Sequence, residues 1–514
     1  MTLNLQECKP KVLENCIGCG YCNLICPIGA FEKKSYQYQV NDSTCNLCTK
    51  CEFICPVDAI KYPYRNNHPE SKTKETEDCF SLKKGEYDVI VVGSGIGGLL
   101  AAAALAEKGK SVLLAERLSF LGGRFTHFNY QGFSINTGAL HMIPHGSKGP
   151  FGKLVESLNI PVRINNSLGM GSLFNNGQHY KWEKLFDILE AFNFKERVAI
   201  LIIAMKLMFM KKQAQNSYFN DWLLQQTSSK NVYNFFNKLI NFGGSVSIDK
   251  ISYQEMREIT KNVIKLGSPG VIEGGCGNLV NKLYKKIKDH SGEIITCAQI
   301  TDIIVEKEAV KGVKVYNRKA RESLILETNT LISDIGPNET NKLLQGNSRF
   351  SNLEAIHSST KVPMGINIHF FSDKPLIPHQ GIMFCLDTNR VAGVVQPTNT
   401  DSSLAPDQKH LLISYQVLKS NNISAELAAG LDDLKQIFGE SFNNQCQVIN
   451  TSVFIDCWPV NRVYQGNDKE DINPLCGLYF VGDGCKTTGH VMVEGIADNV
   501  AKVVRMALSQ SEHI

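Results

Sequence analysis

Eight cysteines near the start of the chain fall into two copies of one pattern: Cys16, Cys19, Cys22 and Cys26 before Pro27, then Cys45, Cys48, Cys51 and Cys55 before Pro56. Thiolates are soft, charge-donating ligands that suit iron and inorganic sulfide. A zinc site would need only four ligands in a tetrahedral array, and a disulfide framework has no use for the repeated Cys-Pro ending. The spacing predicts two iron–sulfur clusters.

Each run reads C-x-x-C-x-x-C-x-x-x-C-P and resembles the bacterial two-cluster ferredoxins, in which the fourth cysteine of one run ligates the cluster held by the first three of the other. That resemblance implies one [4Fe-4S] cluster on Cys16, Cys19, Cys22 and Cys55, and a second on Cys45, Cys48, Cys51 and Cys26. The stretches IGCGYCNLICPIGAF and NLCTKCEFICPVDAI form the internal repeat of this unit, residues 1–66.

At 514 residues the chain has room for further domains. Its 43% hydrophobic and 20% charged residues can bury a sizeable core. The net charge of +4 comes without a dense basic block, so no nucleic-acid partner is expected. The nine other cysteines are scattered, as in a reducing cytosol. The N-terminus has no apolar signal region, and the most apolar stretch, residues 198–210, contains Lys206 and is too short to span a bilayer. A cytoplasmic protein is expected, soluble or touching a membrane peripherally.

Residues 67–86 are polar and read as a linker. The sequence then changes character: YDVIVV, a strand; GSGIGG; an alanine-rich helix over 99–108; and a second apolar strand, 111–115, ending at Glu116. Gly93, Gly95 and Gly98 thus stand in a strand–turn–helix context that binds dinucleotides. The first glycine permits the turn, the second admits the pyrophosphate, and the third lets helix and strand approach. Glu116 would accept hydrogen bonds from the adenosine ribose.

Gly122-Gly123-Arg124 after the second strand, and GLYFVGD at 477–483 before a final helix, resemble the FAD-binding parts of glutathione-reductase-like flavoproteins, more closely the phytoene desaturase, carotenoid isomerase and retinol saturase group. GVIEGGCG at 270–277 and TLISDIGP at 330–337 resemble that group's returning FAD segment. The resemblance implies FAD as cofactor, with Arg124 on the pyrophosphate, Asp483 on the ribityl chain, and a glycine-rich turn and terminal helix over 489–507, with His490 at the helix start and the helix's positive end facing the reduced flavin. The cofactor-binding residues it implies are Gly93, Gly95, Ile96, Gly97, Gly98, Glu116, Arg117, Gly123, Arg124, Ile300, Gly482, Asp483 and Val493.

The expected fold is multidomain, α/β and α+β: a ferredoxin-like two-cluster domain, then a Rossmann-type, glutathione-reductase-like FAD domain with an inserted substrate domain. The FAD domain would comprise 87–140, 263–345 and 471–514, and the substrate domain 141–262 and 346–470. Residues 183–240 read as apolar helices. The 198–210 stretch is expected as an ordinary buried helix, the alternative being contact with lipid.

No second strand-G-x-G-x-x-G-helix unit occurs, so no built-in NAD(P)H site is expected. This separates the chain from iron–sulfur flavoproteins resembling the small glutamate synthase subunit. Electrons would pass through the clusters, from a ferredoxin or another low-potential redox protein. Flavin takes hydride without a protein nucleophile. Saturating a double bond needs a proton source, for which His141, His145 and His490 are candidates, His490 foremost, with Glu494 behind it; Cys485 reads as a spectator. The expected activity is FAD-dependent saturation, or else desaturation, of a carbon–carbon double bond in a hydrophobic, isoprenoid-like molecule. An electron-transfer subunit and a redox-neutral isomerase are the alternatives.

Overall fold

The computed structural model describes residues 9–511 except 27, 35–36, 42, 46–49, 63–84, 185, 210–216, 319–321, 345–361, 456–457 and 469–471. Cys48 and most of the expected linker lie outside the described residues.

The short apolar runs of the dinucleotide motif form a five-stranded, all-parallel sheet in the order Glu293–Ile295, Val112–Ala115, Val89–Val92, Leu331–Ser333, Leu478–Phe480. Helices and a second sheet cover its two faces, which is why these strands read as continuous runs of Val, Leu and Ile. Helix Ile96–Glu107 is alanine-rich because it is buried on nearly all sides, packing between helices Gly275–Asp289 and Val493–Ser511. It begins at Ile96, three residues before the expected start, because Gly97 and Gly98 are already helical. An antiparallel meander, Ala298–Glu306, Ala309–Asn317 and Glu322–Glu327, lies on the opposite face.

The turn expected from Gly489 runs on to Met492, so the terminal helix begins at Val493, past His490. Gly489 and Met492 have φ of 79° and 51°, left-handed values that a helix cannot contain.

A seven-stranded mixed sheet forms the other large layer. Its order is Gln178–Trp182, Gly171–Asn175, Ile382–Cys385, Val391–Val395, His410–Val417, Gly365–Ser372, Cys446–Phe454. Helices Phe219–Gln226, Lys230–Gly243 and Tyr253–Leu266 share a core with one face, and Ile423–Phe438 with the other. The expectation of a buried helix over 198–210 is corrected: helix Phe194–Phe209 buries only Glu196, Ile200, Ile203 and Leu207. An apolar run does not reveal which side of a helix meets protein.

The cysteine-rich unit has two short helices, Tyr21–Ile25 and Lys50–Ile54, a hairpin of Phe31–Lys34 with Gln37–Val40, and a pairing of Lys11–Val12 with Ile60–Lys61 that closes its ends. It shares a core with Leu118, Phe454 and Trp458 of the larger body.

Candidate functional site

The backbone of the phosphate-binding turn requires its glycines. Gly93 has φ 93°, and a side chain on Gly98 would collide with the Gly93 carbonyl. Helix Ile96–Glu107 starts at Gly95 with no side-chain cap, so its N-terminal amides are available to an anion. Glu116, at the end of the adjacent strand, accepts from the Ser94 amide and hydroxyl at 2.8 and 2.7 Å and from the Leu118 amide at 2.8 Å. These bonds hold its carboxylate against the turn.

Two acids gather at the same end of the sheet. Asp483 Oδ2 accepts from Arg124 Nη2 at 2.6 Å and from the Arg462 amide at 3.0 Å, and the Arg462 guanidinium approaches Oδ1 at 3.4 Å. Burial opposes the charge on Asp483, but the two arginines and Lys486 prevail and hold its carboxyl down at about 2. Arg124 also donates to the carbonyls of Pro459 and Val460. Asp334, at the end of strand Leu331–Ser333, sits against Gly95, Gly97, Gly98 and Gly482, where any Cβ would meet it. Burial there pushes its carboxyl up to about 7, although the Gly98 amide and Arg462 draw it down. The sequence contains TLISDIGP, but nothing in it aims Asp334 at the turn.

Residues 491–493 join the layers: Val491 belongs to the core under the seven-stranded sheet and Val493 to that of the parallel sheet. Helix Tyr253–Leu266 braces the turn before them. Glu255 accepts from the Gly489 amide at 3.0 Å, and the Asn262 side chain donates to the Gly489 carbonyl at 2.7 Å. Met492 keeps a left-handed φ rare for a side chain of its size, and such residues cluster at functional sites.

The expected residues therefore part company. Gly93, Gly95, Ile96, Gly97, Gly98, Glu116, Gly123, Arg124, Gly482, Asp483 and Val493 meet at or beside the C-terminal edge of the parallel sheet, where such folds bind ligands. Ile300 lies on the strand that starts beside Glu116, joined by the Ala298 amide to the Glu116 carbonyl at 2.8 Å. Arg117 turns away to Asp58 (3.2 Å) and the Pro56 carbonyl (2.8 Å) of the cysteine-rich unit. His490 is half-buried; its electrostatic neighbours are Asp498 and Lys502 of the terminal helix, and burial lowers its pKa. The Glu494 oxygens accept from the His145 and Phe151 amides at 3.0 and 2.9 Å, and burial pushes its carboxyl up to about 7 although these amides draw it down. Beside the seven-stranded sheet lie two other buried histidines. His141 bonds the Ser134 carbonyl and His369 the Asn136 side chain, and burial pushes both down, to about 4 and 3.

Cys16, Cys19, Cys22 and Cys55 line one cavity with Ile17, Tyr21 and Tyr38. Burial and mutual repulsion raise Cys19, Cys22 and Cys55, so these sulfurs could not all be thiolates without cations among them. The two runs keep matching roles: the Ala30 amide donates to Cys26 Sγ and the Ala59 amide to Cys55 Sγ, both at 3.2 Å. Of the second set, Cys26, Cys45 and Cys51 are described.

The cavity-bearing face docks on the larger body. Tyr21, between Cys19 and Cys22, stacks on Phe120 with ring centroids 4.6 Å apart and also meets Phe128. Phe120 lies in the loop between Glu116 and Arg124. Asp58 bridges Arg117 and Arg318, the Val453 amide donates to the Ile17 carbonyl at 3.1 Å, and Lys33 reaches Asn450 and Thr451. A cleft of about 330 Å³ opens beside Tyr21, lined by Phe120, His127 and Tyr284 among others.

A parallel-sheet dinucleotide site joined to a second, mixed sheet, with a cysteine-rich unit docked on the Glu116–Arg124 loop, defines an iron–sulfur flavoprotein oxidoreductase. Residues 96–497 match the flavin-containing amine oxidoreductase family and residues 15–80 a 4Fe-4S dicluster domain. The chain belongs to that flavoprotein family, and its cofactors are FAD and two [4Fe-4S] clusters. It is 35% identical over 416 residues to an uncharacterized protein of Methanocaldococcus jannaschii, spanning 80% of this chain and 98% of that one. The solved structure of an oxidoreductase from Methanosarcina mazei superposes with a TM-score of 0.74 at 30% identity, covering 81% of this chain and 99% of that one. More distant similarity runs to the chloroplastic prolycopene isomerase of Arabidopsis thaliana, 24% identical over 381 residues (63% of this chain, 62% of that one). The human all-trans-retinol 13,14-reductase matches at 38% over 88 residues (17% and 14%). The group resemblance read from the motifs is thus found.

Proposed function

We propose that this flavoprotein reduces a carbon–carbon double bond of a hydrophobic, isoprenoid-like substrate, with electrons arriving one at a time from a ferredoxin or another low-potential redox protein. The observation that carries the reading is the docking of the Cys19–Cys22 turn on the Glu116–Arg124 loop through Tyr21 and Phe120. An oxidase passing electrons to oxygen has no need of a cluster-bearing unit held there. The substrate class is supported by relatives named for prolycopene and retinol.

Bound FAD would supply hydride exchange, and bound clusters one-electron transfer. This chain's own residues do the rest. The uncapped start of helix Ile96–Glu107 and Arg124 would hold the diphosphate, Glu116 the adenosine ribose, and Asp483 the ribityl chain. The first turn of Val493–Ser511 turns its amides and positive dipole end toward the junction of the two layers, favouring negative charge there. His490 is the proposed proton source, set at the turn that Glu255 and Asn262 brace. The seven-stranded sheet and its helices exclude water from the junction.

A redox-neutral isomerisation is the second reading, favoured by the 381-residue similarity to a prolycopene isomerase. The test is anaerobic incubation of cofactor-replete protein with a chemical reductant and mixed polyprenyl lipids, followed by mass spectrometry. A gain of two hydrogens is expected. Unchanged mass with altered chromatographic retention would replace reduction by isomerisation, and no product at all would point to an electron-transfer subunit.

A further inference from the structure

Helix Phe194–Phe209 turns one apolar arc to its own protein and a second to solvent. The inner arc carries Ile200, Ile203 and Leu207 with Glu196, whose carboxylate is engaged by the Ser229 hydroxyl at 2.7 Å and the Asn193 amide at 3.1 Å. The outer arc carries Phe194, Val198, Leu201, Ile202, Met205 and Phe209, exposed by 79, 40, 37, 41, 54 and 79%. At 3.6 residues per turn these six fall within about 100° of the circumference. No polar residue interrupts them. Lys195 and Lys206 flank the arc on one side and Arg197 on the other, and Lys211 and Lys212 follow in the sequence.

A soluble surface of this kind is costly, because contiguous exposed apolar area marks an interaction site. The helix has 16 residues, and among the described residues none is long and apolar enough to cross a membrane. We propose that this face docks on an anionic lipid surface, the helix lying in the plane of the interface. The six apolar side chains would enter the acyl boundary, and Lys195 and Arg197 would reach back to lipid phosphates, Lys206 being held by the Gln226 side chain at 2.5 Å. The basic rim decides between a bilayer and a second copy of the chain. A two-fold contact through the same arc would set cationic flank against cationic flank, whereas an anionic surface complements both. The inference rests on the helix alone and stands or falls independently of the substrate.

The test is sedimentation of the full-length, cofactor-loaded protein with vesicles of phosphatidylcholine, with and without phosphatidylglycerol, at low and high salt. The protein should pellet with the anionic vesicles, less with the neutral ones, and less in high salt. Ile202→Ser with Met205→Ser should weaken partitioning about a hundredfold, roughly tenfold for each apolar side chain lost. Lys195→Glu with Arg197→Glu leaves the apolar arc whole and should abolish the preference for phosphatidylglycerol. Flavin content should stay unchanged in both variants, and thermal unfolding in the Ser pair; the Glu pair also loses the bond from Arg197 to the Phe192 carbonyl at 2.7 Å. The proposal is overturned if the wild type stays in the supernatant with anionic vesicles, or if the Ser double variant pellets equally well. It is also overturned if light scattering shows a dimer that this variant splits while vesicle binding is nil.

Discussion

Arg124 and Asp483 stand 359 residues apart in the chain, and their side chains meet at 2.6 Å. The pair ties the loop after the second strand of the parallel sheet to the turn after its last strand. Two segments that must grip opposite parts of one cofactor thus move as one.

Breaking this pair should be expensive, since a largely buried carboxylate would lose its chief counter-charge. Arg124→Ala should cost about 3–5 kcal/mol, read as a lower thermal midpoint and loss of flavin on gel filtration. The Asp483 carboxyl is lowered from 3.8 to about 2, so its contribution is present above pH 3.8 and is lost as pH falls toward 2. The thermal midpoint followed between pH 5 and pH 2 should fall over that window in the wild type, and less steeply in Arg124→Ala. Identical acid profiles would sink the linkage.

Gly95 faces the Asp334 carboxylate with no room for a side chain. Gly95→Val should yield protein that keeps its iron and sulfide but little FAD, measured by absorbance after desalting. Stoichiometric flavin in that variant would mean that the phosphate turn lies elsewhere.

Asp334 should make flavin binding depend on pH. Its carboxyl titrates at about 7; below that it is neutral, and above it a negative charge faces the diphosphate. FAD affinity should therefore fall as pH rises from 6 to 8.5. Asp334→Asn should bind about tenfold tighter than wild type at the upper end, about one pKa unit's worth, and match it at the lower. Flavin fluorescence titrations would decide; a flat wild-type profile counts against this role.

The two cysteine sets predict about eight irons and eight labile sulfides per chain. Cys19→Ala should lose about half of each while retaining FAD. Four or fewer irons in anaerobically prepared wild type would contradict two [4Fe-4S] centres.

If electrons enter through the docked unit, a reduced ferredoxin should reduce the flavin rapidly and NADPH should not. Tyr21→Ala removes the stack on Phe120 and should slow the first process about tenfold, the equivalent of one aromatic contact. Stopped-flow spectra separate the cluster and flavin bands. Fast NADPH reduction in a cluster-free variant would restore a pyridine-nucleotide route.

The cluster cysteines and the glycine turn were legible because their chemistry is local. Ligand spacing and the approach of helix to strand are set within a few residues, so type and order suffice. The ferredoxin resemblance likewise implied that Cys55 joins Cys16, Cys19 and Cys22, and the fold lines one cavity with all four. What lay between distant segments was not legible. Arg117 follows Glu116, yet it is held by Asp58 across a domain contact. Asp334 reads as an ordinary strand end until the parallel sheet brings it against Gly95. The helix start at Val493 was masked by Met492, whose left-handed backbone no side-chain preference announces. The 198–210 stretch shows its apolar content plainly in sequence, but an apolar residue reads the same whether it faces a core or a membrane. Only the packing of Ile200, Ile203 and Leu207 inward decides that Phe194, Ile202 and Met205 point out, because burial is a property of neighbours that the chain supplies only once it is folded.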